Sequence, residues 1–340
     1  MSQLDSHLDD PTSIPPEILK RLDPEYKDFV LAQPASSRTP LYTVGWSSKL
    51  REIVNSSTAG KANAVPVGVV ETVSLGEYSV RVLIPEGEPP KDGWPALVYL
   101  HGGGWLFGTS QTGESFYTRV CVETRCIVVS VDHRLAPEHT FPTALNDSWS
   151  ALLWVCAEGG VKYKINKSLI ALCGYSSGAN LAAVLAQRAT MLRPPIRLCA
   201  QILLMPLVDL TPTSDPSTWS PSMREYANVF GLYAGDLLWS RDLHTPEVSD
   251  RTLPDASPLL QNKKEAFEGM PQAWISVAEM DVLRSGGELY AKKLQEHGVP
   301  VALKTYYGAA HLLIQADGVC ELARTIRTDQ IEALKTAFSS

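Results

Sequence analysis

The sequence has no run of about 18 apolar residues, so no segment is long enough to be expected to cross a membrane as a helix. It has no cluster of lysines and arginines, and its formal charge is −7, which argues against nucleic acid as a partner. The first residues, MSQLDSHLDDPTS, carry neither a basic start nor an apolar core, so no secretory leader is expected there. Cysteine is scarce, at positions 121, 126, 156, 173, 199 and 320. Cys173 and Cys199 sit inside apolar runs and read as small buried hydrophobes with free thiols. Cys121 and Cys126 lack His or Cys partners at ligand spacing, so no metal site is expected. These absences together point to a soluble, cytoplasmic protein.

What is present is rhythm. After an irregular start over residues 1–60, with a helical patch in PPEILKRLDPEYKDFVLAQ, residues 66–86 alternate as two antiparallel strands turning near Gly76. Short apolar runs then follow: WPALVYLHGGG, RCIVVSVDHR, SLIALCGYSSG, RLCAQILLMPLVD, QAWISVAEMD and VALKTYYGAAH. Runs of this kind are buried on both faces, as in a parallel sheet. Helical patterns separate most of them, including SFYTRVCVETR, ALNDSWSALLWVCAEG, GANLAAVLAQRATML and GGELYAKKLQEHG. The alternation predicts an α/β fold with one mostly parallel sheet in a single domain over 1–340. Residues 211–256 break the rhythm with prolines, aromatics and other large apolar side chains, among them Trp219, Met223, Tyr226, Phe230, Tyr233, Leu237 and Trp239. They read as an insertion that covers the sheet.

In such a sheet, ligands bind beyond the carboxyl ends of the strands. The residues found there are His101-Gly102-Gly103-Gly104, Asp132, Ser176, Asp209, Asp281 and His311. Gly174-Tyr175-Ser176-Ser177-Gly178 matches the G-x-S-x-G elbow between strand and helix, which makes Ser176 the candidate nucleophile. The glycines of HGGGW would let backbone N–H groups approach a substrate oxyanion, with Gly103 and Gly104 on one side and Ser177 at the helix start on the other. His311 follows the last strand and is the candidate base, and Asp281 past the preceding strand is its candidate acid. Glu279 is the alternative acid, although it lies inside the strand. His101 is expected to brace the glycine loop, and His133 and His139 read as structural. His297 sits at a helix end, His244 in the insertion and His7 in the tail.

Four blocks, HGGGW at 101, VDHRLAPEHTFPTALND at 131, GYSSGANLAA at 174 and AEMDVLRSGGELYAKKLQEHGV at 278, resemble the hormone-sensitive-lipase-like family of α/β-hydrolases. DASPLL at 255 and GAAHLL at 308 fit the same pattern, and the likeness covers about residues 94–315. The resemblance implies a sheet of about eight strands, with a cap built from residues 1–60 and 211–256. It also implies Ser176 as nucleophile, His311 as base, Asp281 as orienting acid, and Gly103, Gly104 and Ser177 as the oxyanion hole. The sequence departs from the family around the site. Tyr175 and Ser177 stand where Asp and Ala are usual, and Ala179 stands for a glycine. Leu312 and Leu313 stand for Gly-Phe, and His133 for a tyrosine.

The expected activity is hydrolysis of small to medium soluble carboxylic esters through an acyl-enzyme, with no cofactor or metal. Tyr175, Trp219, Met223, Tyr226, Phe230 and Leu312 are candidates for the substrate pocket. The same triad would also serve acyl transfer, lactonisation or condensation on a biosynthetic intermediate. A non-catalytic small-ligand receptor is the third reading, because some relatives with this fold have lost the base. The sequence leaves the oligomeric state open, a homodimer among the options.

Overall fold

The structure is a computed structural model that describes residues 14–339. The acidic tail with His7, and the first residues of the expected 1–60 cap, lie outside the described residues. The described residues start with four short helices, α1 (Pro16–Arg21), α2 (Pro24–Ala32), α3 (Leu41–Val44) and α4 (Ser48–Ser56). The single helical patch expected near residue 20 is thus two helices. The break falls at Leu22 and Asp23, both extended. Pro24 disfavours helical geometry at Asp23, and the Asp23 carboxylate instead caps α2 by accepting from the N–H groups of Glu25 and Tyr26.

The strands and helices that follow are β1 (Val69–Ser74), β2 (Ser79–Ile84), β3 (Trp94–Leu100), α5 (Glu114–Thr124), β4 (Ile127–Asp132), α6 (Thr143–Cys156), α7 (Glu158–Lys162), β5 (Ile165–Tyr175), α8 (Ser177–Met191) and β6 (Ala200–Leu204). The insertion contributes α9 (Pro221–Glu225) and α10 (Ala234–His244). The chain ends through β7 (Gln272–Ala278), α11 (Arg284–Glu296), β8 (Val301–Tyr306) and α12 (Glu321–Phe338). The last helix is one that the apolar rhythm did not single out.

All eight strands form one sheet in the order β1-β2-β4-β3-β5-β6-β7-β8. β1 and β2 form the expected hairpin around Gly76, and β2 also runs antiparallel to β4. Every other pairing is parallel. The central strands are buried almost throughout, as their unbroken apolar runs require. The strand expected over RLCAQILLMPLVD is shorter than that run. It stops at Leu204 because Met205 turns to φ 41 ahead of Pro206. Helices pack against the sheet in groups, α5 with α12 and α6 with α8. Among the described residues no helix is long and apolar enough to cross a membrane.

Candidate active site

β5 carries the chain to Tyr175 and α8 begins at Ser177, so Ser176 occupies the corner between them. Ser176 has φ 55 and ψ −117, a backbone conformation that a serine adopts only at a cost of about 1–3 kcal/mol. The surroundings enforce it. The Ser176 N–H donates to the Leu204 carbonyl at 2.9 Å, and its carbonyl accepts from the Asn180 N–H at 3.1 Å. The turn admits only glycine on either side. A Cβ on Gly174 would lie 2.1 Å from the Gly178 carbonyl oxygen, and one on Gly178 would lie 2.1 Å from the Leu100 carbonyl oxygen. The glycines therefore set how closely helix and strand approach, and the strained serine is the residue left between them.

Two further loops close on this corner. His311 places Nε2 3.0 Å from the Ser176 Oγ, and its Nδ1 lies 2.8 Å from an Asp281 carboxylate oxygen. The second Asp281 oxygen accepts from the Leu283 N–H at 2.9 Å, which orients the carboxylate. With the carboxylate at Nδ1, the imidazole proton belongs on that nitrogen, and Nε2 is free to accept from the serine hydroxyl. All three side chains are buried. The loops are joined by the Met280 N–H, which donates to the Ala309 carbonyl. Glu279, the alternative acid, faces elsewhere: it accepts from the Arg21 guanidinium and from the Gly308 N–H, each at 2.8 Å.

The glycine loop follows β3. Gly103 has φ 125, which favours glycine, and its Cβ position is filled by the Phe107 carbonyl. Among the described residues, the backbone N–H groups of Gly103 and Gly104 donate to no protein acceptor. Ser177 is the first residue of α8, where an N–H has no partner within the helix. The loop is braced from behind. His101 Nδ1 lies 2.9 Å from the Gly102 carbonyl oxygen, and its ring stacks on His133 at 4.3 Å. Trp105 stacks on His244 of α10 at 4.0 Å. Ser240 of α10 abuts Gly104. Neither of these contacts from the insertion had a signal in the sequence, because both partners lie more than a hundred residues downstream.

The three histidines of this brace are buried, and burial lowers the pKa of His101, takes that of His133 well below its usual value, and brings that of His244 down to about 3. His133 also feels the neighbouring His101. All three are therefore packing groups held neutral.

The candidate pocket residues separate into groups. Tyr175 lies under His311, and its hydroxyl donates to the His311 carbonyl at 2.7 Å. Leu312 packs against Gly231, beside Phe230. Phe230 and Ala310 border a narrow apolar crevice completed by Ile18, Tyr26 and Val30 of the N-terminal helices. Met223 and Tyr226 are buried in the core, and the Tyr226 hydroxyl accepts from Arg21 at 2.9 Å. The Trp219 indole is tied to the Thr213 carbonyl in an exposed turn. Trp239 packs with Leu106 and Phe107, and the Tyr233 hydroxyl donates to the Arg38 carbonyl. A surface concavity of about 380 Å³ lies between Arg51, Asp132, His133 and Glu138, but none of Ser176, Asp281 and His311 lines it.

One group of metal-ligating side chains, Asp23, Glu25 and Cys320, comes together among the described residues. Each is engaged within the chain: Asp23 caps α2 and accepts from the Cys320 thiol, and Glu25 accepts from the Glu321 N–H.

Residues 97–315 match a family described as having the alpha/beta hydrolase fold. The chain is 30% identical to esterase LipI of Mycobacterium tuberculosis over 345 residues, covering 99% of both. It is 31% identical to an arylesterase of Saccharolobus solfataricus over 297 residues, or 86% of this chain and 92% of that one. Among solved structures, the esterase rPPE superposes with a TM-score of 0.82 at 26% identity, covering 96% of this chain and 99% of the other.

Proposed function

The chain belongs to the hormone-sensitive-lipase-like family of α/β-hydrolases, and from that premise we propose that it is a serine carboxylesterase of small to medium soluble esters, working through Ser176, His311 and Asp281. One observation carries the assignment of roles: an unbroken hydrogen-bonded line runs from the Ser176 hydroxyl through His311 to Asp281, at 3.0 and 2.8 Å.

The reaction follows from that line. His311 Nε2 takes the hydroxyl proton as Ser176 Oγ attacks the ester carbonyl carbon. The N–H groups of Gly103, Gly104 and Ser177 receive the negative charge that develops on the carbonyl oxygen, and they are supplied ready-oriented by the loop and the helix start. Asp281 holds the imidazolium in place. The imidazolium returns its proton to the departing alcohol oxygen, leaving the acyl group on Ser176. A water, deprotonated by His311, then attacks the acyl carbon, and Ser176 leaves with that proton.

Residues 14–60 and 211–256 are read as a cap over this site. Support comes from the ties they make to the loops around it: Arg21 to Glu279, Ser240 against Gly104, and Gly231 against Leu312. A cytoplasmic location fits six cysteines that are all free thiols. Acyl transfer and ligand reception lack comparable support, since the named relatives are esterases.

The test is hydrolysis of p-nitrophenyl esters from acetate to decanoate by wild type and Ser176→Ala. The wild type should turn over the short esters, and the variant should lose about 10⁴-fold or more in kcat. A folded wild type inert on every ester, or a Ser176→Ala variant that keeps its rate, overturns the reading.

A further inference from the structure

Resting on the esterase reading above, we propose that Tyr175 is a positioning residue that sets the register between nucleophile, base and oxyanion loop. It precedes Ser176 in the chain, so its backbone and that of the nucleophile move together. Its ring lies along the His311 imidazole, with centroids 5.1 Å apart and planes 25° from parallel. Its hydroxyl donates to the His311 carbonyl at 2.7 Å. On the other side, Gly102 sits directly on it: a Cβ there would fall 2.6 Å from the Tyr175 ring and 2.7 Å from its carbonyl oxygen. One buried residue of the elbow therefore touches two other loops, those of His311 and Gly102, that are far from it in sequence.

The arrangement has a physical consequence for the base. His311 lies 135 residues from Ser176, and its loop returns to the elbow only through tertiary contacts. Asp281 holds Nδ1 and Ser176 meets Nε2, but two bonds strung along one line leave the imidazole free to tilt about that line. The Tyr175 ring blocks that tilt from one face, and its hydroxyl anchors the backbone from which the imidazole hangs. A side chain shorter than tyrosine cannot both cover the imidazole and reach the carbonyl. Burial pushes the Tyr175 pKa well above its usual value, so the hydroxyl remains a donor wherever an esterase works.

Two variants separate the two contacts. Tyr175→Phe keeps the ring and loses the hydroxyl, and kcat for p-nitrophenyl acetate should fall about threefold to tenfold. Tyr175→Leu loses both, and kcat should fall about a further threefold to tenfold. In both variants KM should stay within about twofold, because alignment of the base acts on the chemical step rather than on substrate binding. A second readout needs no turnover. The low-field proton signal of the His311 Nδ1–H, sharp in wild type and in Tyr175→Phe, should broaden or vanish in Tyr175→Leu as water reaches the ring. Unchanged kcat in both variants, or a raised KM at constant kcat, would make Tyr175 a mere wall and overturn the proposal. An unchanged low-field signal in Tyr175→Leu also overturns it. If the wild type hydrolyses no ester, the esterase reading fails by itself and the proton signal alone decides the role of Tyr175. If Tyr175→Leu does not fold, the kcat and KM of Tyr175→Phe decide it.

Discussion

The elbow and the segments proposed to cover it are held by different kinds of contact. At the elbow, backbone meets backbone. Gly174, Gly178 and the Leu100 carbonyl are in such close approach that no side chain fits between them, and the Ser176 N–H is paired with the neighbouring strand. The proposed cover, α1–α4 and the insertion, also buries apolar side chains. Its ties to the rest of the molecule include backbone pairs, the Asp23 N–H to the Gly308 carbonyl and the Phe141 N–H to the His244 carbonyl, but they also run through side chains: Arg21 to Glu279, and Arg51 to the Leu106 and Ala136 carbonyls. A backbone-paired corner has one arrangement at any cost below unfolding. A cover held in large part by side chains has alternatives within a few kcal/mol, because each polar tie is worth only about 1 kcal/mol net. Damage at the elbow side should therefore appear in kcat, and damage to the cover in KM and in stability.

The largest expected effect tests the catalytic half of that contrast. Asp281→Asn removes the acceptor that keeps the proton on Nδ1 of His311, and kcat should fall about 10⁴-fold while the protein stays folded. Steady-state kinetics with circular dichroism checks it. A loss below about tenfold would mean that Glu279 or another group has taken over the role of Asp281.

A smaller effect is expected where cover and glycine loop meet. His244 is buried neutral between Trp105 and Phe141, with Thr245 at its Nδ1. Its folded pKa of about 3 lies below the unfolded value of about 6.5. Its contribution is therefore complete above about pH 6.5 and is lost as the pH falls from there toward 3. Between pH 7 and pH 5 the loss should be about 2 kcal/mol, readable as a lower urea midpoint. His244→Gln should make that pH dependence shallower, with His101 and His133, also held neutral by burial, accounting for what remains; an unchanged slope would place the acid sensitivity elsewhere.

The smallest effect isolates one tie of the cover. Arg21 is part-exposed and bonds Glu279 and Tyr226. Arg21→Met should change stability by less than about 1 kcal/mol, since exposed ion pairs contribute little. It should shift KM for longer esters by a few-fold and leave kcat for acetate within about twofold. An equal loss of kcat on every ester would show that the cover and the catalytic line are one unit, and would break the contrast.

How legible each part was follows the same division. The elbow, the glycine loop and the strand-end positions of Asp281 and His311 could be read from the sequence because each depends on residues adjacent in the chain. The split between α1 and α2 was equally local, written in Asp23-Pro24, but helical spacing across it hid the break. α12 escaped notice because it follows the last strand and so separates no pair of apolar runs. Tyr175 reads from the sequence as a substrate-pocket candidate, since nothing in GYSSG says that its hydroxyl would find the carbonyl of residue 311.

The sequence by itself determined the alternation of strands and helices, the corner at Ser176 and the order of the acid and base loops, because these rest on local sterics and on apolar periodicity. Only the tertiary structure decided which carboxylate faces His311. Asp281 and Glu279 are two residues apart and chemically alike. Asp281 points to the imidazole, whereas Glu279 is turned toward Arg21, which the N-terminal helices bring from more than 250 residues away. Long-range pairing of charge is a property of packing, and no local pattern encodes it.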